Sequence, residues 1–262
     1  MASVDENDTI TVGKAIIVKD NVIMNIKDSK EAVDEFESSD SKLIDVGGKS
    51  VIPGLIDSHN HLLWAGDRFN EHKLRMDGMS YSQIAASGGG IMETVRHTRN
   101  ATKQELTQIG IDRLKESLRN GCTFLEAKSG YGLSTSEELR LLEVQDSLND
   151  LPNLPSIHST WMGAHAVTKD RTYADYTQEI LSEQLPSVLE SGLAHSADVF
   201  CEPGWFTLEQ SEEILRESRK GGLALRMHID EFTDGGGGNL ASELKVVTAD
   251  HAHHTPWIRG LT

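Results

Sequence analysis

The chain has 262 residues, 37% hydrophobic and 25% charged, with 41 acidic against 25 basic side chains and a formal net charge of −16. Length and composition fit a soluble globular protein with a sizeable core. So acidic a surface repels phosphate backbones and anionic membranes, so neither nucleic acid nor a membrane is expected as a partner.

Residues 1–50 read as a separate unit. Thr9 to Val12, Ala15 to Val18, Val22 to Ile26 and Leu43 to Val46 are short β-type runs divided by turn signals such as Lys19-Asp20-Asn21. Acidic residues concentrate between Glu31 and Asp40, which reads as a solvated loop. From residue 51 to 262 apolar strands alternate with helical patterns. The predicted strands are Val51–Ile56, Cys122–Ala127, Ser156–Trp161, Ala197–Cys201, Ala224–His228 and Val246–Ala249. Thr102-x-x-Glu105, Ser134-x-x-Glu137 and Thr207-x-x-Gln210 are capping-box patterns that start helices. Ile111, Leu114 and Leu118 share one helical face, as do Leu141, Val144 and Leu148. Residues 178–190 are also helical in pattern, with a kink expected near Pro186.

Such alternation predicts parallel βα units in an α/β fold. No glycine-rich dinucleotide fingerprint follows the first strand. Polar groups gather instead at strand ends: His59, His61, Lys128, His165, Glu202, His228, Glu231 and His251. A TIM-like (β/α)8 barrel brings such ends to one mouth, whereas an open sheet spreads them along an edge. The expectation is therefore a barrel, and an incomplete one, because about six strands are found where closure takes eight.

His59 and His61 end the run Val-Ile-Pro-Gly-Leu-Ile-Asp-Ser-His-Asn-His and, two apart, point the same way. Two neutral imidazoles there can hold one metal ion, although an isolated His-x-His is more often a loop feature. His228 is a candidate third ligand, and Glu231, three residues on, could orient and deprotonate a water. His251 could stabilise or protonate a tetrahedral intermediate. Arg68 carries a planar fork suited to a carboxylate, against the plainer reading of a surface arginine. Tyr131, in the glycine-flanked Lys-Ser-Gly-Tyr-Gly run, could be aimed inward, and His165 sits at a strand exit where substrate could be touched. His158 reads as a packing histidine, and His195 lies on the wrong side of a barrel. Gly88 to Gly90 and Gly235 to Gly238 lack a Lys-Ser/Thr signature and read as loops near the mouth. Cys122 and Cys201 lie far apart, outside any Cys-x-x-Cys pair, and read as buried free thiols in a reducing compartment. The N-terminus shows no apolar h-region and no run approaches a membrane span, so a cytoplasmic location is expected.

Pro-Gly-Leu-Ile-Asp-Ser-His-Asn-His (53–61), Ala-Gly-Asp-Arg (65–68), Gly-Gly-Gly-Ile (88–91), Thr-Val-Arg-His-Thr-Arg (94–99), Lys-Ser-Gly-Tyr-Gly-Leu (128–133), Met-Gly-Ala-His-Ala-Val (162–167), Asp-Val-Phe-Cys-Glu (198–202), His-Ile-Asp-Glu (228–231) and Ala-Asp-His (249–251) follow one another in order. In this set the chain resembles the amidohydrolase superfamily and, within it, the imidazolonepropionase family. The resemblance implies one zinc or iron ion on His59, His61 and His228, with Glu231 and His251 assisting hydrolysis. It implies Arg68, Tyr131, His165 and Glu231 around a small-molecule carboxylate, 4-imidazolone-5-propanoate, opened to N-formimidoyl-L-glutamate in histidine degradation. It also implies that residues 1–50 are part of a small β-sandwich. Two departures stand out: the family's further ligand, an Asp on the eighth barrel strand, is not in these residues, nor are the C-terminal strands of the sandwich. A chain limited to these residues is then expected to bind metal weakly, to be poorly stable and to show little activity. The other readings are an amidohydrolase of another cyclic amide or a nucleobase, and an inactive truncated remnant. Exposed sheet edges make a homodimer the expected association.

Overall fold

The computed structural model describes residues 10–36, 40–80, 83–84 and 87–256. Two compact units emerge, Met1–Leu55 and Ile56–Thr262. In the first, β1 (Lys14–Lys19) and β2 (Val22–Asp28) form an antiparallel hairpin. Asp20 and Asn21 make its turn at φ 50° and 62°, the left-handed conformation that Asn and Asp tolerate best after Gly. Helix α1 (Ser29–Phe36) follows, where the acidic stretch reads as a loop. The difference is local: Lys30-Glu31-Ala32 are strong helix formers, and Ala32 is buried. Leu43 to Val46 is not a strand, and Ile10 is confined to an isolated bridge. The hairpin and helix are the regular elements among the described residues of this unit, and a sandwich is not seen in them. Thr9 and residues 37–39 of the acidic stretch lie outside the described residues.

The second unit is α/β. β3 (Leu55–Asp57), β4 (Cys122–Lys128), β5 (Ser156–Ala164), β6 (Ser196–Cys201), β7 (Ala224–Ile229) and β8 (Thr248–His251) form one sheet in sequence order. Each neighbouring pair from β4 to β8 is parallel. The connections carry α2 (Phe69–Met76), α3 (Ile91–Asn100) and α4 (Lys103–Arg119) before β4, and α5 (Thr135–Asn149) before β5. They continue with α6 (Tyr173–Glu179) and α7 (Leu185–Ser191) before β6, α8 (Leu208–Lys220) before β7, and α9 (Gly237–Leu244) before β8. A π-helical turn, Ile180–Gln184, joins α6 to α7 just ahead of Pro186. Pro186 thus follows a widened turn, at the start of α7 where its missing N–H costs least.

Strand alternation divides the sheet chemically. Ala197, Val199 and Cys201 on β6 and Leu225, Met227 and Ile229 on β7 face the helices and join the main apolar core with Ile214 and Leu215 of α8. The intervening positions, Glu126, Lys128, Thr160, Asp198, Arg226 and Asp250, meet on the opposite side in a hydrogen-bonded polar layer. That layer curls the sheet. His59, just past β3, reaches Asp250 of β8 at 3.0 Å although these are the two edge strands. The result is a six-strand half-barrel, compatible with an incomplete TIM-like barrel. β3 covers three residues where six were expected, because Pro53 has no N–H to give to a ladder.

Candidate metal centre

The loop after β3 is set by its own polar groups. Asp57 accepts from the His59 amide at 3.3 Å and from Asn60 Nδ2 at 2.9 Å, and the Asn60 carbonyl accepts from the Lys128 amide at 2.8 Å. His59 and His61 are thereby fixed against the end of β4. His228 comes from β7 and His251 from the end of β8, where His251 and Ala252 take positive φ (65° and 51°). The His59 ring lies 4.7 Å from that of His228, 5.1 Å from His251 and 5.8 Å from His61. One ring nitrogen each from His59, His228 and His251 falls within 4.8 Å of the others. His61 lies outside that triple, although its ring is 5.7 Å from His228.

Hydrogen bonding fixes which nitrogen is available. His59 Nδ1 meets Asp250 Oδ2 at 3.0 Å, His228 Nδ1 meets Asp198 Oδ1 at 3.0 Å, and His61 Nδ1 meets the Ser129 carbonyl at 3.2 Å. A carboxylate or carbonyl accepts here, so each Nδ1 carries a proton and Nε2 is the nitrogen left to face a cation. His228 Nε2 is buried without a hydrogen-bond partner among the described residues. A buried polar atom is rarely left so, and a lone pair bare of partners is what a cation would fill.

The remaining rings suit the same purpose. Burial pushes the His165 pKa down to about 3, aided by nearby His228. Burial, with His228 and His59 beside it, lowers His251 to about 4. His61 is also held well below the usual range, by burial and then by His165. These rings stay neutral near pH 7, the form that ligates metals. Burial raises the Glu231 carboxyl, and its Oε2 stands 3.7 Å from His251 Nε2. His165 stacks on His61 at 4.9 Å and 14° and bonds the Gly130 carbonyl through Nδ1 at 2.9 Å. Tyr131 lies 5.3 Å from both of these rings. The sequence-predicted residues His59, His61, His228, His251, Glu231, His165 and Tyr131 are thus brought together. Arg68 stands differently: its Nε and Nη2 meet Glu71 Oε2 at 2.8 and 2.5 Å, so its carboxylate-binding fork is engaged by a carboxylate of the chain itself.

Sequence reasoning assigned no role to the carboxylates that shape the mouth. Glu138 of α5 accepts the amides of Gly130, Gly132 and Leu133, folding the loop around Tyr131. Glu202 accepts the amides of Glu231, Phe232 and Thr233. Asp230 accepts the amides of Gly235, Gly237 and Gly238 and the Thr255 hydroxyl, so the Gly235–Gly238 run wraps an internal carboxylate. Asp198, a charge inside the apolar run Ala-Asp-Val-Phe-Cys, was the visible signal of the polar layer.

The parallel half-barrel, with histidines and a carboxylate gathered at its mouth, defines the class of α/β folds compatible with an incomplete TIM-like barrel. No protein-family model matches the chain. Its curated relatives include the imidazolonepropionase of Thermoanaerobacter pseudethanolicus, 42% identical over 239 residues, covering 90% of this chain and 56% of that protein. The imidazolonepropionase of Symbiobacterium thermophilum is 41% identical over 247 residues (92% and 58%). That of Alkaliphilus metalliredigens is 45% identical over 213 residues (80% and 50%). The chain belongs to the imidazolonepropionase family, and it spans a little over half the length of these relatives. Among solved structures, N-acetylneuraminate lyase of Proteus mirabilis aligns with a TM-score of 0.35 at 11% identity over 75% of this chain and 69% of that one, a likeness from which nothing is drawn.

Proposed function

We propose that this site serves metal-dependent hydrolysis of 4-imidazolone-5-propanoate to N-formimidoyl-L-glutamate, a step of histidine degradation in the cytoplasm. The observation that carries the reading is the buried, unpartnered Nε2 of His228, with Nδ1 held by Asp198, beside His59. His59, His61 and His228 would hold one zinc or iron ion, since imidazole nitrogens suit both. When bound, such an ion supplies Lewis acidity, polarising an amide carbonyl and bringing the pKa of water to about 7.

The chain's own residues do the rest. Glu231, whose pKa burial raises, takes the proton from the attacking water and passes it toward the leaving ring nitrogen. His251, 3.7 Å from Glu231, hydrogen-bonds the oxygen on which charge develops. Tyr131 and His165 line the substrate's approach, and Arg68 takes the propionate if it exchanges Glu71 for it. The barrel of which these strands are part is read as the (β/α)8 type, with residues 1–50 belonging to a small β-sandwich. A homodimer would cover the edge strands β3 and β8.

The test is direct. The purified chain, with zinc or iron added, is incubated with imidazolone propanoate, guanine, cytosine or dihydroorotate, and products are identified by mass spectrometry. Ring opening of imidazolone propanoate that is lost in Glu231→Gln supports the reading. Preferential turnover of a nucleobase or of dihydroorotate overturns it.

A further inference from the structure

The Lys128 side chain is fully buried, at the end of β4, and the site chemistry proposed above does not use it. Its Nζ donates to Asp198 Oδ2 at 2.5 Å, to Glu126 Oε1 at 2.9 Å and to Asp250 Oδ2 at 3.0 Å. Two of those carboxylates carry on to the histidines: Asp198 to His228 Nδ1 and Asp250 to His59 Nδ1, each at 3.0 Å. One ammonium from β4 therefore joins β6 and β8 and, through them, both rings of the tightest pair in the cluster. An ammonium has three donors and no acceptor, so three carboxylates satisfy it fully.

We propose that Lys128 is a positioning residue: it holds Asp198 and Asp250 so that they fix His228 and His59 in the Nδ1–H form, with both Nε2 lone pairs turned to a cation. The inference rests on the reading of these histidines as metal ligands. Its physical content is orientation. A free carboxylate has two equivalent oxygens and can swing. Pinned by Lys128, each presents one defined oxygen to one ring nitrogen. Without the ammonium, the buried carboxylates would repel one another and move apart, and each ring would lose its fixed acceptor.

The experiment uses the whole 262-residue chain in two measurements. Nitrogen-15 NMR of the metal-free protein reports the tautomer of each histidine, and Zn2+ titration against a chromophoric chelator reports affinity. Wild type is expected to show His59 and His228 as Nδ1–H. Lys128→Met is expected to give mixed tautomers at both and to weaken Zn2+ binding about 10- to 100-fold. Asp198→Asn should weaken it less, because it frees only His228, and the double variant should match Lys128→Met alone, because Lys128 acts through Asp198 and Asp250 together. A merely structural lysine would lower the melting temperature and leave tautomers and affinity of the folded protein unchanged, which overturns the proposal. If Lys128→Met does not fold, Asp250→Asn decides: it should release the His59 tautomer and spare His228, and release of neither ring overturns the proposal. If wild type binds no Zn2+, the metal reading fails, while the tautomers still test what Lys128 does.

Discussion

His158 shows how position within the sheet sets a residue's chemistry. Its Nε2 lies 2.7 Å from Ser196 Oγ, and burial, then the charge of Arg226 and the neighbouring His195, lower its pKa to about 4. In the unfolded chain the ordinary value is about 6.5. As pH falls through that value the unfolded state takes up a proton that the folded state refuses, so stability present above pH ~6.5 is lost toward pH ~4. His158→Gln should therefore flatten the fall of melting temperature between pH 7 and pH 5, by about one proton taken up on unfolding. Equal slopes would show that this ring does not matter. Gly130 is a second single-residue case. At φ 96°, a Cβ there would stand 2.7 Å from His165 Nδ1. Gly130→Ala should lower the denaturant-unfolding free energy by about 1–3 kcal/mol, the cost of a strained backbone, and displace His165.

Three helix starts carry the same kind of sequence signal, and two of them form it. Thr102 and Thr207 each complete a reciprocal capping box, with Glu105 and Gln210. Ser134 makes no side-chain cap bond, and the Glu137 side chain is engaged by Arg140. Thr102→Ala and Thr207→Ala should each cost about 1 kcal/mol in chemical denaturation, and Ser134→Ala much less. Equal losses at all three would refute the geometry. The contrast also shows what was legible. The Thr102 and Thr207 caps, the five strands β4 to β8 and the face of Leu141, Val144 and Leu148 are local patterns, so spacing alone reveals them, whereas Leu118 of the other predicted face is exposed. The first strand was overcalled because Val51 to Ile56 is apolar throughout, yet Ile52, Leu55 and Ile56 are exposed and Pro53 interrupts the ladder. Helix α1 forms inside an acidic run, where charge points to a loop and the helix formers Lys30, Glu31 and Ala32 prevail.

At the scale of the whole molecule, what the sequence hid is the polar layer inside the curl. Lys128 meets Asp198 and Asp250 from 70 and 122 residues away, and only the curled sheet brings them together. The histidines could be assigned from their motifs, while of the carboxylates behind them only Asp198 shows, as a charge inside an apolar run. If the histidines hold a cation, folding and binding are linked: zinc at about 100 times its Kd should add about 2.7 kcal/mol of stability. A melting curve that rises with zinc, returns with chelator and is flat in His228→Ala is the expected result. No shift in wild type would count against the site. Among the described residues no helix is long and apolar enough to cross a membrane. The loops at the mouth carry a different consequence. Glu138, Glu202 and Asp230 each hold a run of backbone amides, so the path of these loops is written by a carboxylate beneath them and not by the side chains at their tips. Tyr131 and Phe232 stand on such anchored stretches. The bonds beneath them are made by main-chain amides and not by their rings, so a change of either ring leaves those bonds in place.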